Sequence, residues 1–159
     1  MMNLVTPIDD DLKCFLESGL VILVATCSDA LAPFVTRAWG VRVHDDDRLR
    51  ISLCVGRAAS GRTLDDLRAN GRIAVAFGEQ ATSRAVQIKG SSVAIEEIDA
   101  AALERATDQF TRFYDKAVKL GGRADLAHVV FTTDLVSITF VADELFDQTP
   151  GPGAGRKVA

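Results

Sequence analysis

The sequence predicts a small antiparallel β-barrel carrying one long helix and two short ones, a mainly β fold of the α+β kind. Three observations predict it. About six short segments alternate apolar and polar residues with the period of half-buried strands. One of them, 83–97, changes phase half-way, as a bulged strand does where a sheet bends. A single stretch, 100–120, repeats its apolar residues at helical spacing. The 159 residues, 48% of them apolar, suit one domain with a sizeable core.

Taken in order, Asp9–Glu17 reads as a short helix. Its acids sit at the positive helix end, Leu12, Phe15 and Leu16 make its apolar stripe, and Gly19 stops it. Leu20–Cys27 is apolar on both faces and reads as a central strand covered on both sides. Ser28–Pro33 turns into the strand Phe34–Val43, and His44–Arg48 is a polar hairpin turn. Leu49, Ile51, Leu53 and Val55 then alternate with Arg50, Ser52 and Cys54. Gly56–Gly61 is a loop. Thr63–Asn70 is a short helix whose Thr63 and Asp66 resemble a capping box, and Gly71 ends it. Arg72–Gly78 is a strand with Ile73, Val75 and Phe77 on one face.

In Ser83–Glu97, Val86 and Ile88 hold even positions but Val93 and Ile95 odd ones; one extra residue at Gly90–Ser92 restores a common face. Ala100–Leu120 carries Leu103, Ala106, Phe110, Phe113, Ala117 and Leu120 on one stripe, able to cover a barrel or a partner chain. Ala124–His128 reads as one helical turn and 129–142 as the last strand, clearest at Leu135–Val141. The domain spans 1–146. The Gly- and Pro-rich tail, 147–159, is expected to make no regular structure, and is either mobile or folded over a neighbouring subunit's ligand.

Composition narrows the function. Net charge is −4, from 18 basic and 22 acidic residues, without the basic stripe of a nucleic-acid binder. Cys14, Cys27 and Cys54 are far apart, which fits reduced thiols rather than a disulfide scaffold. His44 and His128 have no ligand cluster around them, so no metal site is expected. The acidic N-terminus does not read as a signal peptide, and the longest apolar run, Leu20–Ala25, is too short to span a bilayer. The expectation is a cytoplasmic protein without a membrane partner.

Arg37 is the residue that asks for an explanation. Strand alternation puts Val35, Arg37, Trp39, Val41 and Val43 on one side, so a guanidinium shares a face with four apolar side chains. A charge there is costly unless it is paired or binds an anion. Either it forms an ion pair with one of the acids, or it holds an anionic ligand such as a phosphate. Trp39 has two readings as well, a core or subunit contact, or a stacking surface for a planar ring.

Three fragments follow one another in the chain: PFVTRAW at 33–39, RAASGRTLDDLRANGRIAVAF at 57–77, and SRAVQIKG at 83–90. In this order and spacing, over residues 8–142, the chain resembles the FMN-binding split barrels of the pyridoxamine 5′-phosphate oxidase-like superfamily. The resemblance implies a homodimer with FMN in clefts between the subunits. It implies that Arg37 holds the FMN phosphate while the backbone at Ala38, Trp39 and Gly40 lines the flavin. Ser52, Leu53 and Cys54 would approach the ring or ribityl chain. Ser60, Gly61, Arg62 and Thr63 match the family's phosphate-binding position, and Gln87 matches a flavin-contacting glutamine. Thr63 departs from the pattern, since relatives usually have Lys beside the Arg; Arg57 is placed to compensate.

The implied activity is an FMN-dependent oxidoreductase acting on an unknown small molecule. No side chain presents itself as a catalytic acid or base, which suits chemistry carried by a cofactor. Pyridoxamine phosphate is not the expected substrate, because the tail lacks the family enzyme's second phosphate arrangement. The alternatives are a deazaflavin-dependent reductase and a non-enzymatic flavin carrier or sensor. Haem ranks below both, for want of a placed axial ligand.

Overall fold

The computed structural model describes residues 7–126, 129 and 131–158. Its elements are α1 (Asp10–Leu16), β1 (Val21–Cys27), β2 (Pro33–Val43), β3 (Arg50–Gly56), α2 (Gly61–Asn70), β4 (Arg72–Gly78), β5 (Ala85–Glu97), α3 (Ala100–Lys119), β6 (Leu135–Asp147) and β7 (Arg156–Lys157). A 3-10 turn covers Ala124–Leu126, and His128, the end of the expected helical turn, lies outside the described residues.

The strands run in the order β3-β2-β1-β4-β5-β6-β7, and a further β3–β6 ladder closes the first six into an antiparallel barrel. This is the mainly β barrel that the alternating segments predict. Inside it pack Ile22 and Val24 of β1, Ile51, Leu53 and Val55 of β3, Val75 and Phe77 of β4, Ile88 of β5, and Ile138 and Phe140 of β6. Phe15 and Leu16 of α1 and Leu64 and Leu67 of α2 add to that core. A second cluster forms outside the barrel, where α3 lies across β2: Trp39, Cys54, Ala102, Ala106, Phe113 and Leu135 are buried together.

The phase change in β5 is present. The β5–β6 register shifts between Ser92 and Ala94, which inserts a residue in β5, and again beside Gly90, where β6 has the extra residue. Gly90 fits because a Cβ there would lie 2.1 Å from the Val141 carbonyl oxygen.

A second bulge, in β2, overturns the predicted face of that strand. Trp39 pairs with Cys54 and Arg42 with Ser52, so Gly40 and Val41 together oppose Leu53. Gly40 takes φ +66° and lets Ala106 approach to 3.1 Å of where its Cβ would be. The extra residue reverses the alternation. Val41 and Val43 point into the barrel, whereas Val35, Arg37 and Trp39 point out.

Three further expectations are corrected. β1 is not fully covered on both sides: on its outer face Val21 packs against the second cluster, but Leu23 keeps 36% of its surface exposed. Thr63 is not a cap, since α2 begins at Gly61 with Ser60 as N-cap, and Asp66 instead accepts from the Thr26 hydroxyl at 2.9 Å. The tail is not without regular structure. β7 pairs with Phe146 and Asp147 of β6, and Val158 N–H donates to Leu145 at 2.8 Å.

Candidate functional site

Arg37 leaves the outer face of β2 just beyond the point where β3 stops pairing with it. A cavity of about 540 Å³ opens there, lined by Thr36, Arg37, Trp39, Gly56, Ala59, Phe131 and Asp134 among others. Its wall is aromatic: Trp39 meets Phe131 edge-on at 6.0 Å, and Phe131 stacks on Phe110 at 4.6 Å. The Arg37 guanidinium lies 5.7 Å from the Phe113 ring centre and, among the described residues, has no carboxylate partner. The ion-pair reading of Arg37 is therefore not what the fold adopts.

Arg57 contrasts with it. Its guanidinium is held by Glu97 at 2.6 Å and Asp134 at 3.0 Å, and those hydrogen bonds raise its already high pKa. The expected compensation by Arg57 would have to break this clamp.

The start of α2 adjoins the same strand. The Ser60 and Thr36 hydroxyls are 2.9 Å apart, with Ser60 fully buried. Thr63 is also fully buried, and its hydroxyl has no hydrogen-bond partner in the described structure. Such an orphan is costly unless a ligand satisfies it. Arg62 donates to the Ala32 carbonyl at 3.0 Å and lies over Phe34; it does not pair with Asp65 or Asp66. Asp65 pairs instead with Arg68. Gly61 has open space around it.

The remaining expected residues are scattered. Ala38 and Leu53 lie inside the barrel. Gly40 and Cys54 lie beneath α3, and burial pushes the Cys54 thiol up to about 11, a protonated and inert state. Ser52 is bonded to His44 Nε2 at 2.8 Å and to the Thr139 hydroxyl at 2.7 Å. Gln87 stands on the outer face of β5, in a row that runs from Arg37 through Leu23 and Ala76. One chain thus brings Arg37, Trp39 and the β3–α2 loop together, and leaves Gln87 three strands away.

Sequence reasoning passed over a second cavity, of about 490 Å³, on β2 beyond the bulge. Lys13, Glu17, Arg42, Arg105, Asp108 and Arg112 line it. Arg42 and Arg105 have no carboxylate partner among the described residues, and both act on His44. Burial, then Arg50 and Arg42, hold the His44 pKa below its ordinary 6.5. Strand alternation does not reveal this enclosure, because the β2 bulge and the α3 side chains create it.

The described residues contain no helix long and apolar enough to cross a membrane. A family model, that of pyridoxamine 5′-phosphate oxidase, matches residues 8–142. No curated protein matches the sequence. Among solved structures, a Lactobacillus delbrueckii protein assigned to the pyridoxamine 5′-phosphate oxidases is similar at TM-score 0.56 and 16% identity, over 92% of this chain and 99% of that one. An F420 reductase is similar at 0.54 and 16%, over 84% and 94%. HutZ, the heme storage protein of Vibrio cholerae, is similar at 0.50 and 13%, over 89% and 95%. At such identities these structures establish the barrel and no more. The family match, which spans the whole barrel up to β6, establishes the lineage: the chain belongs to the pyridoxamine 5′-phosphate oxidase family.

Proposed function

We propose that this chain is an FMN-binding flavoprotein and an oxidoreductase whose small-molecule substrate is not pyridoxamine phosphate. The observation that carries the reading is Arg37, an arginine without a carboxylate partner at the mouth of an aromatic cavity. A planar guanidinium suits a phosphate by bidentate contact. The residues present fit FMN: Arg37 and Arg62 would supply charge, and the orphan Thr63 hydroxyl and the first-turn amides of α2 would supply neutral donors. When bound, the flavin supplies electron transfer. The chain's own residues bind it, orient it and exclude water from one face.

The second half of the site is assigned to another copy of this chain. Leu23 and Val35 leave apolar surface open on the sheet face that carries Arg37 and Gln87, and a homodimer would cover it. In this reading residues 1–146 form the cofactor domain and 147–159 an appended segment.

The purified protein is expected to carry, or take up, one FMN per chain and to show the two-banded visible spectrum of an oxidised flavin. Arg37→Ala should weaken FMN binding by about 1.5–3 kcal/mol, while Arg42→Ala leaves it unchanged. Equal affinities of the two variants in a fluorescence titration would remove Arg37 from the site. A deazaflavin spectrum or a haem Soret band in place of the flavin would redirect the assignment, and reduction by NADH or NADPH separates a reductase from a carrier.

A further inference from the structure

We propose that the cavity between α1, the end of β2 and α3 is a second ligand site, which takes a small dianion, a phosphate or a dicarboxylate, on the guanidinium groups of Arg42 and Arg105. This site goes beyond the FMN reading and does not depend on it. The cavity measures about 490 Å³. Arg105, Asp108 and Arg112 recur at helical spacing on one flank of α3, while Phe110 backs the aromatic cavity from the other flank. The helix thus stands between the two cavities.

Charge decides what this cavity suits. The chain as a whole carries −4, yet four cations, Lys13, Arg42, Arg105 and Arg112, line the cavity against two carboxylates, Glu17 and Asp108. Both carboxylates are engaged. Glu17 Oε1 accepts the Val43 N–H at 2.8 Å, and Asp108 pairs with Arg112. Lys13 is taken by Asp45 at 2.6 Å. Arg42 and Arg105 are left over. Neither has a carboxylate partner among the described residues, and the Arg105 Nε is buried with no hydrogen-bond partner in the described structure.

A buried guanidinium N–H without an acceptor is costly, and two unpaired cations facing one cavity repel each other. Elsewhere in this neighbourhood an acid closes the account of each arginine, Asp46 for Arg50 and Asp108 for Arg112. A bound oxyanion supplies both missing parts here. It brings acceptors for Arg105 and negative charge between two planar forks.

His44 is placed to report an occupant. Burial, Arg50, Arg42 and Arg105 lower its pKa, and Asp46 opposes them. An anion on Arg42 and Arg105 offsets two of these cations, so His44 should hold a proton more readily when the site is filled.

The test titrates the purified protein with inorganic phosphate, sulfate and succinate, with chloride keeping the ionic strength constant. Thermal unfolding and the His44 ring resonances are followed. Sulfate keeps both charges across the His44 titration and serves for the pKa measurement. At least one dianion should bind saturably, raise Tm and raise the His44 pKa. Arg42→Gln and Arg105→Gln should each weaken that binding about tenfold to a hundredfold, the scale of one charge-assisted hydrogen bond. Arg105→Lys keeps the charge without the fork and should recover part of the loss. Arg42 is exposed on its strand, so its substitution tests the site without disturbing the core. Arg37→Ala should leave the effect of the anion on His44 unchanged, because Arg37 belongs to the other cavity. Responses no larger than those to chloride, wild-type affinity in both glutamine variants, or a loss in Arg37→Ala alone would overturn the inference. These outcomes leave the FMN reading standing, and a protein that binds no FMN leaves this site standing.

Discussion

Gln109 completes the hydrogen bonding of Val41 from the other side of the chain. Its Oε1 accepts the Val41 N–H at 2.9 Å, and its Nε2 donates to the Glu17 carbonyl at 2.8 Å and reaches the Val41 carbonyl at 3.4 Å. The bulge at Gly40–Val41 takes these groups out of the β2–β3 ladder, and α3 brings a buried amide to replace the missing strand partner. Replacing Gln109 by Leu keeps the volume and orphans the Val41 N–H and the Glu17 carbonyl. The expected loss is about 2–4 kcal/mol, from the buried Val41 N–H together with the half-buried Glu17 carbonyl. Urea unfolding measures it; a loss below that of a surface substitution would show that the bulge is held by other contacts.

Thr63 should respond in opposite directions in two assays. Thr63→Val removes a buried hydroxyl that has no partner. Flavin-free protein should be as stable as the wild type or up to about 2 kcal/mol more stable, because the desolvation cost disappears. FMN affinity should fall, because the donor disappears as well. Thermal unfolding without flavin and fluorescence titration with it separate the two effects, and a destabilised apoprotein would contradict the orphan geometry.

His44 makes stability depend on pH in a defined sense. Its pKa in the fold lies below 6.5, owing first to burial and then to Arg50 and Arg42; Arg105 also lowers it and Asp46 raises it. Below pH 6.5 the unfolded chain takes up a proton that the folded chain refuses. The His44 contribution is therefore fully present above 6.5 and is lost as pH falls from there toward the folded pKa. Arg42→Gln removes one cation, should raise the His44 pKa in an NMR titration, and should flatten that slope. An unchanged titration would mean that Arg42 points away from His44.

Leu23 tests the open sheet face. It is exposed beside Arg37 in register, with Val35 54% exposed on the same strand face. Leu23→Asp puts a charge where an interface would be desolvated. Sedimentation should shift from dimer to monomer, with the circular dichroism of the barrel unchanged. A wild type that already sediments as a monomer would remove the two-subunit site.

Much of the fold could be read from periodicity. Ile73, Val75 and Phe77 alternate cleanly and all point into the barrel. Leu103, Ala106, Phe110 and Phe113 keep helical spacing, and α3 lays that stripe on Trp39 and its neighbours. The β5 bulge left a visible phase flip because apolar residues flank it on both sides. The β2 bulge left none: Val35, Trp39, Val41 and Val43 are all apolar, so their alternation looks unbroken although two of them point outward. Residues near the site were legible as residues, not as a site. Arg57 and Arg37 look alike in the sequence, and Asp134, which holds Arg57, comes 77 positions later in the chain.

What the sequence determined by itself is the six strands of the barrel, the long helix, the family and the candidates Arg37, Arg62, Thr63 and Gln87, because local spacing and short motifs carry those. What only the tertiary structure decided is which cations are satisfied, which faces are covered and where the tail goes. Those depend on groups far apart in sequence meeting in space: Arg57 on Glu97 and Asp134, Gln109 on Val41, and Gln148 on Gln87. Periodicity reports how each segment divides between apolar and polar faces. It is silent on what the opposite face meets.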